Sequence, residues 1–313
     1  MRFSMRLGVS LPAAVFAFCV SASAHDCTGP LLEGQDILGD AVCLPPKPQR
    51  IVTMDPFYSL LMAMELEAPV VGTALSGSDL PPQMPQRYAD EIEVLGQATA
   101  PNLEAILSVR PDLILGSAYG QEKLHAQLQA IAPTVLIDTA DWRTYFRLVA
   151  RSVDREALAE QKLKGFQERL DATARSLPEN TSVSFIRIVP GGFQVYVAGP
   201  NAYAPMALLT ELGLERPPFE TVTDNTVLRR PTQEGLLQLQ GDILIYTIGG
   251  AHHDGDAEAL EREVTGSPIW QALPAVKANR AFKVDPAHWM GFGGIASAHA
   301  ILDDLREIFG FVP

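Results

Sequence analysis

One stretch of this chain occurs twice. Pro101-Asn-Leu-Glu-Ala-Ile-Leu, closing in Pro111-Asp-Leu-Ile-Leu115, is echoed 130 residues later by Pro231-Thr-Gln-Glu-Gly-Leu-Leu, closing in Gly241-Asp-Ile-Leu-Ile245. Each copy has a residue able to cap a helix (Asn102, Thr232), a glutamate two positions on (Glu104, Glu234), a short apolar segment, and an aspartate before a buried run (Asp112, Asp242). Binary patterning alone would reproduce the apolar positions of two amphipathic helices, but not the matched Pro, Glu and Asp. The chain therefore reads as two related lobes.

The pattern around the repeat supplies the layers. Arg50 to Met54 reads as a strand, Leu60 to Leu66 as a helix, and Val70-Val71 as a second strand. Asn102 caps a helix that Pro111 ends, Leu113 to Leu115 is a buried strand, and helix Leu124 to Ile131 and strand Thr134 to Ile137 follow. Such βα alternation implies a parallel, helix-covered sheet. From Asp154 to Leu177 one long helix is expected, with Asp154 as N-cap and Leu163, Phe166, Leu170, Ala174 and Leu177 on one stripe. Beyond it come strand Ser182 to Val189, a turn at Gly191-Gly192, strand Gln194 to Ala198 and helix Ala204 to Leu212. The expected fold is α/β: two Rossmann-like lobes bridged by one long helix, with a ligand cleft between them. The divisions fall at 1–24 (leader), 25–140 (N-terminal lobe), 141–180 (helical connection with the bridging helix) and 181–313 (C-terminal lobe).

The leader has the parts of a secretory signal: Arg2 and Arg6, an apolar run from Leu7 to Val20, and Ala22-Ser23-Ala24 as the cleavage site. A mature chain beginning at His25 is expected, exported to the periplasm. Cys19 lies within the apolar run without the small-residue pair of a lipid-attachment signal, although N-terminal lipidation stays open. Cys27 and Cys43 remain, and in an oxidising compartment they are expected to pair, two free thiols being the alternative. The 24 basic and 37 acidic residues give a net charge of −13; without the leader's two arginines the balance is 22 against 37, or −15. That surface repels nucleic acid and leaves any anionic ligand to local arginines.

Arg50-Ile-Val52, the Pro-Asn-Leu-Glu segment with Pro111 to Leu115, Ala198-Gly-Pro-Asn201, Ser267-Pro-Ile-Trp270 and Val284-Asp-Pro-Ala-His-Trp289 together resemble the periplasmic ferric siderophore-binding proteins of ABC importers, especially the ferric hydroxamate-binding branch. The resemblance spans nearly the whole mature chain. It implies a class III solute-binding fold with little hinge closure, a monomer, and delivery of a ferric siderophore to an inner-membrane permease, whose arginines would meet Glu104 and Glu234. The bland role of those glutamates is favouring the positive end of a helix dipole, worth about 0.3 to 1 kcal/mol. No resident cofactor is implied, the iron being carried within the siderophore. Haem and cobalamin carriers share the architecture and are the nearest alternatives.

Ligands of α/β lobes sit beyond the carboxyl ends of the strands. There the resemblance points to Tyr119 as a ligand tyrosine and to Trp289 and Phe292 as aromatic walls, with packing in the core as the alternative for each. Tyr58, Trp142 and Tyr203 form a second rank. The branch's arginine before the first glutamate motif has no counterpart in Gln97-Ala98-Thr99-Ala100; Arg229 and Arg230 are expected to clamp anionic oxygens in its place, or else to be a solvated pair. His252-His253-Asp254-Gly255-Asp256 is the one metal-like cluster, on which a free metal-ion binder would depend; its spacing favours a solvated loop. Motifs of hydrolases, phosphate loops and zinc proteases are missing, so a binding protein is expected rather than an enzyme.

Overall fold

The computed structural model describes residues 27–249 and 257–310. The leader over 1–24 and the His252-His253 loop lie outside the described residues.

A short antiparallel pair, β1 (Leu31–Leu32) and β2 (Val42–Cys43), precedes the first sheet, and a Cys27–Cys43 disulfide ties the segment before it to β2. The first sheet contains β3 (Ile51–Thr53), β4 (Val70–Leu75), β5 (Glu93–Gln97), β6 (Ala100–Pro101), β7 (Leu113–Ser117) and β8 (Thr134–Ile137) in the order β6-β5-β4-β3-β7-β8. Its pairings are parallel except β5 with β6. The second sheet contains β9 (Val183–Val189), β10 (Gly192–Tyr196), β11 (Leu228–Arg229), β12 (Ile243–Ile248) and β13 (Ala281–Lys283) in the order β11-β10-β9-β12-β13. Here β12 runs parallel to β9 and β13, while the turn at Gly191 folds β10 back antiparallel onto β9.

The repeated aspartates do the same work in both lobes. The Asp112 carboxylate accepts the backbone N–H groups of Gln49 and Arg50 at 2.7 and 3.0 Å, fixing the entry to β3 beside β7. The Asp242 carboxylate accepts the Ser182 N–H at 2.9 Å and its hydroxyl at 2.7 Å, fixing the entry to β9 beside β12. A carboxylate at this position satisfies donors that precede the ladder, which explains why both copies carry Asp there.

Both glutamate segments turn helically. Asn102 caps helix Leu103–Ser108, its side chain accepting the N–H groups of Glu104 and Ala105, both at 3.1 Å. The second copy tightens to a 3₁₀ helix, Glu234–Gln238, with Thr232 accepting from Gly235 at 3.3 Å. Burial along 101–110 and 231–240 is matched residue for residue except at Leu103 and Gln233.

The bridging helix is Glu156–Ser176, 21 residues, or roughly 32 Å at 1.5 Å per residue. It buries Ala159, Leu163, Phe166, Leu170 and Thr173. Asp154 is not its cap. A separate helix, Trp142–Ser152, ends just before it, and Asp154 occupies the left-handed turn between them at φ 57°, a conformation Asp tolerates better than most residues.

One core runs through both lobes, joining Ile51 and Leu115 of the first sheet, Phe166 of the bridging helix, Val183 and Ile245 of the second sheet, and Leu302 of the last helix, Ile295–Ile308. Polar ties cross the same seam. Gln83 donates to the carbonyls of Ala287 and Gly291 at 3.2 and 2.7 Å. Glu65 accepts the Ile295 and Ala296 N–H groups at 3.1 and 2.8 Å, at the positive end of the last helix. Burial nevertheless pushes the Glu65 carboxyl up to about 7, the backbone hydrogen bonds offsetting part of the rise. Separating the lobes would expose a shared core, so the fold resists wide hinge motion. Among the described residues no helix is long and apolar enough to cross a membrane.

Candidate functional site: a cleft at the strand ends

A cavity of about 830 Å³ opens between the lobes, in the size range of small-molecule sites. Its first-lobe wall is the set of residues that follow the strands: Asp55 after β3, Ser76 after β4, Ala98 and Thr99 after β5, Ser117 and Tyr119 to Gln121 at the end of β7, and Asp138 to Ala140 after β8. Asn201, Tyr203, Met290 and Phe292 supply the second-lobe wall. A parallel sheet forces this arrangement, since every strand delivers its carboxyl end, and the loop behind it, to one edge.

Tyr119 is 92% exposed in the cleft, so its ring is free to cover a ligand. The turn that presents it is anchored from beneath. Ser117 Oγ accepts the Tyr119 N–H at 3.2 Å, Gly120 takes φ 85°, and buried Gln121 donates to Met54 O at 2.6 Å and accepts the Ser117 N–H at 3.0 Å. Tyr58 lines the cleft with its ring 5.2 Å from Tyr145 and 6.1 Å from Phe292. The Tyr203 hydroxyl donates to Met290 O at 3.0 Å and accepts the Phe292 N–H at 3.2 Å, pinning the loop that carries both residues. Phe292 is 1% exposed and forms part of the floor rather than a projecting wall. Burial raises the phenols of Tyr58 and Tyr203 above the usual tyrosine range, so both are neutral hydrogen-bonding groups near pH 7.

Three expectations are corrected. Trp289 is fully buried, stacked on Phe185 at 5.3 Å with its indole N–H donating to Asp304 at 2.7 Å, and it does not line the cleft. It therefore does not face Tyr119. Trp142 is also core, packed edge-on against Phe166 and Phe292 at 5.5 Å each, beneath the floor. Arg229 and Arg230 are exposed on and just after the edge strand β11, outside the cleft lining, with the Arg229 guanidinium 5.3 Å from the Phe219 ring. A turn residue followed by a strand end told the position along the chain; only packing told which way these side chains face.

Sequence reasoning missed Asp55. Its carboxylate accepts the N–H groups of Phe57 and Ser59 at 3.2 and 3.1 Å at the start of helix Tyr58–Glu65 and bonds the Ser59 hydroxyl, which contacts Tyr145 Oη at 2.7 Å. Burial raises its pKa above the usual carboxylate value against the lowering effect of those hydrogen bonds. The rule that ligands lie beyond strand ends, applied to every strand, would have found it. Among the described residues lining the cleft there are two carboxylates, Asp55 and Asp138, and no lysine, arginine or histidine. Arg187 of β9 is held nearby, donating to Gly249 O at 2.6 Å and Gln194 Oε1 at 3.3 Å, and its charge is felt by Tyr203.

A broad cleft walled by aromatic and amide groups, between two lobes that share a core, is the architecture of a small-molecule binding protein. The chain belongs to the family described as "Periplasmic binding protein", which it matches over residues 51–287. It is 30% identical over 227 residues to the "Probable siderophore-binding lipoprotein YfiY" of Bacillus subtilis (strain 168), spanning 70% of this chain and 69% of that one. It is 25% identical over 293 residues to the "Achromobactin-binding periplasmic protein" of Dickeya dadantii (strain 3937), spanning 90% of this chain and 92% of that one. Its fold is that of Staphylococcus aureus SirA, solved in complex with staphyloferrin B, with a TM-score of 0.76 at 24% identity over 90% of this chain and 98% of SirA.

Proposed function

We propose that this protein is exported to the periplasm, captures a ferric siderophore in the cleft and delivers it to an ABC importer, as a monomer and without a covalent step. The observation that carries the reading is the exposed Tyr119 on its anchored turn, facing an 830 Å³ cleft in a member of this family. The metal is cargo, saturated by the chelator's own oxygens, so the protein has only to supply aromatic surface and a few hydrogen bonds. Glu104 and Glu234 are the docking acids, exposed on their two lobes with no ion-pair partner among the described residues. Their charges would steer the approach to cationic groups on the permease.

The charge of the lining selects the chelator. With Asp55 and Asp138 in the wall and no cation among the described lining residues, a neutral or cationic ferric hydroxamate suits the cleft better than a polyanion. Arg187 carries the second reading, because an anionic arm that displaced its Gln194 contact would gain a guanidinium partner. Fluorescence titration of the purified mature chain with ferric trihydroxamates, ferric citrate, ferric catecholates, haem and cobalamin tests both. Tightest binding of a hydroxamate, unchanged by Arg187→Ala, supports the first reading. Tightest binding of citrate or a catecholate, lost in Arg187→Ala, establishes the second, and preference for haem or cobalamin would remove the siderophore assignment altogether.

A further inference from the structure

Each docking segment exposes a leucine that its own lobe does not need. Leu107 is 59% exposed and Leu237 46% exposed, and they are equivalent by the 130-residue repeat. The apolar demand of each lobe is met by their neighbours: Ile106 and Val109 enter one core, Leu236 and Leu239 another. Single exposed leucines are ordinary on protein surfaces. Two at matched positions, each three residues after an exposed glutamate, are not independent accidents.

The local geometry puts each pair on one face. In helix Leu103–Ser108, residues three apart are surface neighbours, and in the 3₁₀ turn Glu234–Gln238 they eclipse one another. Both lobes thus present the same patch: a carboxylate without an ion-pair partner among the described residues, beside an apolar side chain. A partner matched to both must itself offer two similar surfaces, each with a cation next to an apolar socket.

Resting on the docking reading above, we propose that Leu107 and Leu237 are the apolar anchors of two equivalent contacts with a two-subunit permease. The division of labour follows from the physics of the groups. Glu104 and Glu234 act at range and are screened by salt, so they govern approach. The leucines act only at contact and are insensitive to screening, so they hold the complex once formed.

The test begins in cells of the native host producing the full-length protein with p-benzoylphenylalanine in place of Leu107, Leu237 or, as a control, Glu168 on the exposed side of the bridging helix. After irradiation, mass spectrometry identifies the adducts. Positions 107 and 237 should each cross-link to the same polytopic permease subunit, and position 168 should not. With that importer in nanodiscs, Leu107→Ser and Leu237→Ser should each weaken association about tenfold while leaving melting temperature and cleft affinity unchanged. The association that persists in Glu104→Ala/Glu234→Ala should resist added salt. If both serine variants bind as tightly as wild type while the glutamate variants do not, the leucine assignment is overturned and the docking reading stands. If cross-links go to a soluble protein or a second copy, or if neither leucines nor glutamates affect association, both fall.

Discussion

Trp289→Ala removes the fully buried indole that joins the second sheet to the last helix. Its ring stacks on Phe185 of β9 at an interplanar angle of 11°, and its N–H meets Asp304 on helix Ile295–Ile308. Emptying such a site costs about 3–5 kcal/mol for a buried tryptophan. Asp304, whose carboxyl is raised by burial and lowered by the indole hydrogen bond, loses its donor, which adds about 1 kcal/mol. Together they amount to about 5 kcal/mol, a large part of the stability of an ordinary domain, and at about 2 °C per kcal/mol the melting temperature falls by roughly 10 °C. Urea unfolding followed by circular dichroism measures the loss, and ligand titration of the folded fraction measures the cleft. Trp289→Phe, which keeps a ring against Phe185 but loses the hydrogen bond and part of the buried volume, should lose less than Trp289→Ala, about 2–3 kcal/mol. A Trp289→Ala protein that unfolds at the wild-type urea concentration but fails to bind would refute the burial argument and return the tryptophan to the cleft.

Tyr119→Ala should behave in the opposite way, weakening ligand binding about tenfold or more at unchanged melting temperature, because the ring projects from an independently anchored turn; calorimetric titration decides. Glu104→Ala/Glu234→Ala should leave affinity for the chelate unchanged and depress iron uptake by cells, and lost affinity in the purified variant would move these residues to the cleft. Glu65 has a folded pKa of about 7 against an ordinary 4.5, so the folded chain binds more protons than the unfolded one between those values. Its contribution is therefore greatest below pH 4.5 and is lost as pH rises through 7; Glu65→Gln should flatten that part of the stability profile, and an unchanged slope by urea titration would dismiss the assignment. The disulfide closes 16 residues of chain, for which the chain-entropy model gives about 3 kcal/mol. Non-reducing mass spectrometry should find Cys27 and Cys43 bonded, with Cys27→Ser/Cys43→Ser less stable by about that amount.

The sequence by itself determined the repeat, several of the parallel strands and the long helix, because each rests on local chemistry that side chains announce; β5 and β13, short and partly polar, carry no such signal. Asn102 must cap the residues that directly follow it, and Leu163, Phe166 and Leu170 must share a stripe, whatever the rest of the chain does; the donors that Asp112 and Asp242 accept lie about sixty residues earlier and are brought to them only by the assembled sheets. Even the exposure of Glu104 and Glu234 follows from the apolar residues on the other side of their turns. Tyr119, between Ala118 and Gly120 at the end of a buried strand, is exposed for the same reason: the chain leaves the sheet there.

Only the tertiary structure decided which aromatic rings are wall and which are core. Trp289 and Phe292 lie three residues apart, yet the first faces Phe185, more than a hundred residues earlier, while the second reaches the cleft floor above Trp142. Arg229 and Arg230 lie outside the cleft because β11 closes an edge of the second sheet, and no local signal says which edge faces the other lobe. Asp154 reads as a cap in sequence because a helix follows it, whereas the helix that ends just before it makes it a turn residue. Direction in space depends on contacts between residues far apart in the chain, and burial free energy, which has no direction of its own, assigns each ring to whichever side the assembled lobes leave dry.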